Sequence, residues 1–135
     1  MTGSDNPSID QWNNGSMTNP IQEKSYAFAI EIVLFCRELQ KEKHEYVLSK
    51  QLLKSGTSIG ANVEEAQRPQ SRADFCSKMS IALKEAYETR YWLRLIRDTH
   101  LAPSSEVQKY LEALEHIIRL LGAITSSSRK KALIH

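Results

Sequence analysis

Glycine and proline are scarce in this chain of 135 residues, with five Gly and four Pro. That scarcity argues against a turn-rich β fold and for long helices. Cysteine is scarcer still. Cys36 and Cys76 stand far apart in apolar helical patterns, with neither a Cys-x-x-Cys spacing nor the histidine partners of a structural zinc site. They read as two buried thiols packing as small hydrophobes. No stretch approaches the roughly 18 consecutive apolar residues that a membrane span needs. The polar N-terminus lacks the hydrophobic run of a secretory signal, so the cytoplasm is the expected compartment. Nor is charge of one sign in excess: a net charge of +2 does not by itself announce a nucleic-acid binder.

What the chain does have is helical periodicity, in amounts suited to a single domain. Residues 1–19 are polar, contain Asp5 and Asp10 with no base, and are expected to form a disordered extension. A first helix over 20–42 opens on Pro20, which suits a first-turn position. Phe28, Ile32, Phe35 and Leu39 recur there at helical spacing. Tyr26, Ile30, Val33 and Leu34 widen that stripe beyond what one partner helix covers. A second helix over 45–67 carries Leu48, Leu52, Ile59 and Val63, with Ser55 and Ala66 as small members. Its centre reads Ser55-Gly56-Thr57-Ser58-Ile59-Gly60-Ala61-Asn62. Two glycines inside a helix cost about 1 kcal/mol each against alanine. A helix that keeps them is expected to bring its Gly56/Gly60 face close to a neighbouring backbone. The alternative, a phosphate loop, lacks the Gly-Lys-Ser/Thr ending and a preceding strand.

The run from Arg68 to Ser71 reads as a turn, with Ser71 placed to cap a third helix over 71–98 and Asp74 three residues on. Phe75, Met79, Ala82, Ala86, Thr89, Leu93 and Ile96 keep a seam of alternating fours and threes. After a connection around Pro103, a fourth helix over 104–126 carries Val107, Leu111, Leu114, Ile118 and Leu121. It is expected to fray at Ser126, Ser127 and Ser128 and to leave a basic tail over 129–135. The expected fold is all-α, an antiparallel up-down-up-down four-helix bundle occupying 20–128.

Catalytic arrangements do not emerge from this frame. His44, His100, His116 and His135 are scattered over loops, helix ends and the terminus, without the base and orienting partner that a nucleophile requires. A di-iron site in a bundle needs two Glu-x-x-His pairs. The fourth helix offers Glu112 before His116, one residue too far, and the third has Glu85 and Glu88 with no histidine after them. No enzyme activity, cofactor or metal is expected. The basic residues say more. Arg90, Arg94 and Arg97 fall within about 60° around the third helix, beside Tyr87 and Tyr91, and Arg129, Lys130 and Lys131 sit together near the end of the chain. Guanidinium groups beside aromatic rings can hold phosphates and stack bases. The competing reading is pairing with acids on the first or fourth helix.

Two long blocks carry a family resemblance. The run from Tyr46 to Gln67, YVLSKQLLKSGTSIGANVEEAQ, and the run from Ser71 to Leu93, SRADFCSKMSIALKEAYETRYWL, resemble the four-helix bundle proteins encoded in 23S ribosomal RNA intervening sequences. The likeness extends from about Tyr26 to Leu121. It implies an antiparallel bundle that assembles into a ring-like homopentamer with a central channel. It also implies kinship with the accessory variability proteins of diversity-generating retroelements, which bind nucleic acid and a reverse transcriptase. Expected partners are therefore other copies of the chain, RNA or DNA, and a protein partner in the alternative reading as an adaptor. Helix packing and assembly are expected to draw on Gly56, Gly60, Phe28, Ile32 and Phe35, and nucleic-acid binding on the six basic residues named above.

Overall fold

The computed structural model describes residues 19–134. They form four helices: α1 (Pro20–Lys43), α2 (Val47–Ala66), α3 (Arg72–Asp98) and α4 (Ser104–Ile134). Consecutive helices pack side by side, and α1 closes the bundle against α4 more sparsely. No strand occurs among the described residues. The extension expected over 1–19 lies, apart from Asn19, outside them.

Three of the helices start where a side chain takes up orphan N–H groups of the first turn. Asn19 Oδ1 accepts from Gln22 N at 3.3 Å, and Pro20 follows as the first helical residue. Glu45 serves α2 from outside: its carboxylate accepts from the backbone N–H of Val47, Leu48 and Ser49. That is why α2 begins two residues later than periodicity suggests. Ser71 accepts from Asp74 N at 3.0 Å, while the Asp74 carboxylate accepts from Gln70 N, so the expected cap is present. His44 and His100 take positive φ values of 53° and 61°, ending α1 and α3 in left-handed turns.

The apolar stripes meet on one axis. Phe28, Ile32, Phe35 and Leu39 of α1 pack with Leu52, Ile59 and Val63 of α2, Met79, Leu93 and Ile96 of α3, and Val107, Leu114 and Leu121 of α4. Within this core, Thr89 donates to Ser55 across α2 and α3 at 3.0 Å, so this interhelical pair of buried hydroxyls is satisfied.

Two expectations change. α4 runs on through Ser126–Ser128 to Ile134, because Thr125 and Ser128 are buried against the bundle and Lys131 in the last turn suits the negative helix end. Residues 129–134 of the expected basic tail are thus helical, and His135 lies outside the described residues. Cys76 is half-buried, not part of the core; only Cys36 is fully enclosed.

Candidate assembly and nucleic-acid surfaces

The glycine face works inside the subunit. A Cβ on Gly56 would lie 2.9 Å from Ile32 Cγ2, and one on Gly60 would lie 3.3 Å from the Ser25 carbonyl oxygen. The two glycines let α2 approach α1, as their spacing suggested. Phe28, Ile32 and Phe35 are buried in the same seam. All five residues expected to serve helix packing or assembly are therefore enclosed by their own bundle, where they serve packing. The apolar stripe of α1 is wide, and its inner half is the part that the glycines close.

The outer half of α1 is the surface left over. Tyr26, Ile30 and Leu34, one turn apart, are 64%, 47% and 56% exposed. Ala27 is exposed beside them and Val33 is half-buried. The strip continues over a shallow groove of about 260 Å³ onto Thr57 and Ala61 of α2. At the far end of the same helix pair, Tyr46 and Val47 are also exposed. Single exposed apolar residues need no explanation, but a contiguous strip of this kind marks a binding surface.

The arginines of α3 do not act together. Arg90 pairs with Glu115 of α4 at 3.5 Å and lies over the Tyr87 ring, 5.0 Å from its centroid. Arg97 is held by its neighbour: Nε donates to Asp98 at 2.8 Å, and Nη1 reaches Gln108 at 3.4 Å. The hydrogen bond from Arg97, helped by the charges of Arg97 and Arg94, draws the Asp98 carboxyl below its ordinary range. Arg94 is exposed and makes no salt bridge among the described residues. It shares the outward face of α3 with Tyr87, Tyr91 and Lys84, all exposed. Arg129, Lys130 and Lys131 are exposed on the last turns of α4. So intramolecular pairing claims Arg90 and Arg97, while Arg94 and the α4 cluster face solvent.

Residues 17–123 match the family described as 23S rRNA-intervening sequence protein. The chain belongs to that family. Among solved structures, a protein of unknown function from the S23 ribosomal protein family of Bacteroides thetaiotaomicron is 46% identical, with a TM-score of 0.77. The match covers 78% of this chain and 97% of that one. No protein of curated function matches the chain.

No group of three or more His, Cys, Asp or Glu side chains suited to a metal occurs among the described residues. His44, His100 and His116 are exposed and lie apart on the fold. Cys36 Sγ donates to the Ser49 carbonyl at 3.3 Å. Burial, reinforced by the Glu45 charge, pushes its pKa up to about 12, the opposite of what a thiolate nucleophile needs. No described helix is long and apolar enough to cross a membrane.

Proposed function

We propose that this chain works without catalysis, as a cytoplasmic homo-oligomer that holds nucleic acid on its basic surfaces. The observation that carries the reading is the outer face of α1. Tyr26, Ile30 and Leu34 form an apolar strip on a helix whose opposite face is already buried, and a second copy is the partner of matching chemistry always at hand. Five copies is the count that the family resemblance implies. A ring would repeat Arg94, Lys84 and the Arg129–Lys131 cluster around its axis, multiplying a field that one subunit of net charge +2 barely has. Tyr87 and Tyr91, exposed beside Arg94, offer faces on which bases can stack.

Light scattering on the purified chain tests the first half, and a monomer at micromolar concentration would sink it. Titration with single-stranded RNA and DNA at rising salt tests the second. Binding should weaken linearly in log–log form as counterions are released. No binding at low salt, together with one stoichiometric protein partner from cells, would move the reading to an adaptor, since exposed Tyr and Arg also anchor protein interfaces.

A further inference from the structure

We infer that the groove between the start of α3 and the end of α4 is a binding site for one nucleotide unit, with Arg72 and Lys131 on its phosphate and Phe75 against its base. The inference deepens the nucleic-acid reading above and rests on it.

The groove encloses about 660 Å³, inside the range of small-ligand pockets. Its walls combine two chemistries. Pro69, Phe75, Ala123 and Ile124 supply an apolar side, and Arg72, Lys131 and three serines supply a polar one, with no acidic residue among the described residues. Neither Arg72 nor Lys131 makes a salt bridge among the described residues. Ser128, 6% exposed, lines the groove as well. The first turn of α3 adds backbone N–H groups at the positive end of a 27-residue helix. A phosphate therefore finds charge and donors, and a planar base finds a half-buried ring.

A second groove at the same end of the bundle sharpens the assignment. It lies between α2 and α3 and is lined by Glu64, Glu65 and Asp74 along with Arg68 and Lys78. Lys78 is already engaged there by Glu65 and Asp74, at 3.8 and 3.3 Å. Among the described residues, phosphate would meet three carboxylates on that side and none on the other. The two grooves flank one helix start, so local charge decides between them, not the helix end they share.

The test is AMP titrated into isotope-labelled full-length protein, with inorganic phosphate as the companion probe. AMP should move the amide signals of Arg72, Phe75, Ile124 and Ser128. The exposed double change Arg72→Glu with Lys131→Glu should weaken AMP binding at least about tenfold, as lost charge-assisted contacts do. Phe75→Leu should weaken AMP at least about fivefold through lost stacking and leave the phosphate response unchanged. A thermal melt of each variant separates lost binding from lost fold. Groove signals that stay still under AMP, or answer only to a peptide of residues 1–18 with its Asp5, Asp10 and Trp12, would overturn the site. A single-stranded oligonucleotide separates the two failures. If its binding survives Arg72→Glu with Lys131→Glu but vanishes in Arg94→Glu, the groove is wrong and the nucleic-acid reading stands. If the unaltered protein binds no oligonucleotide at low salt, both fall.

Discussion

Helix α1 carries two apolar faces, and they meet opposite fates. The inner face, Phe28, Ile32, Phe35 and Cys36, is sealed; the outer face, Tyr26, Ile30 and Leu34, stands in solvent. Hydrophobicity alone does not separate them. What separates them is the neighbour: α2 presents Gly56 and Gly60 to the inner face, and no described helix covers the outer one. An apolar face is core only where another backbone can come close enough to exclude water.

The comparison breaks most visibly at the outer face. Ile30→Glu places a carboxylate in the centre of the proposed subunit contact. An unpaired charge buried there costs several kcal/mol, so association should weaken at least about a hundredfold. Light scattering should report a monomer while circular dichroism still reports the bundle. An oligomer of unchanged mass would mean that assembly uses another surface.

The inner face should break differently, through stability. Gly56→Val drives a branched side chain into Ile32, where a single added carbon already falls at 2.9 Å. Ile32 is fully enclosed and has little room to yield, so overpacking of about 2–3 kcal/mol is expected, read as a lower urea midpoint. At Gly60 the nearest atom is 3.3 Å away, and alanine's better helix propensity offsets much of the strain. A neutral Gly56→Val would show that α1 and α2 are not pinned where the seam places them.

The contrast also explains what could be read in the residues beforehand. All four helices follow from spacing, because stripes such as Met79, Ala82, Ala86, Thr89, Leu93 and Ile96 are local facts about one element. The close approach at Gly56 and Gly60 was legible too, since tolerating their helical cost implies a contact. Their partner was not. Nothing local says whether a glycine faces its own bundle or a second copy, so Phe28, Ile32 and Phe35 looked as available for assembly as Ile30. The arginine stripe divides for a similar reason. Arg90 and Arg94 are alike in sequence, and only the position of Glu115 on α4 divides them. The Arg72–Phe75–Lys131 groove left no signal at all, because its walls are brought together from distant parts of the chain.

A smaller test of the sealed face uses pH. The Cys36 thiol titrates at about 12 in the fold against an ordinary 9.0. The folded state therefore favours the protonated thiol. Its contribution is fully present below about pH 9 and is lost as pH rises from there towards 12, because the unfolded chain ionises first. By pH 10 the loss should be about 1 kcal/mol, measured as the difference between the unaltered chain and Cys36→Ala so that other titrating groups cancel. An equal pH slope in both proteins would mean that water reaches this seam. In the native protein, alkylation should label half-buried Cys76 well before Cys36.

The smallest expected effect isolates what glycine does in this bundle. Gly122 lies within α4, as Gly56 and Gly60 lie within α2, yet a Cβ there would meet nothing within 4 Å. Its helical cost is then not offset by any contact in the subunit, and Gly122→Ala should stabilise the fold by up to about 1 kcal/mol, a rise of a few degrees in Tm. The three positions are expected to make a graded series, in which a side chain is excluded at 2.9 Å, tightly placed at 3.3 Å and welcome in open space. Should Gly122→Ala destabilise the assembled protein while stabilising the Ile30→Glu monomer, the open space beside α4 would be the place where a second copy comes close.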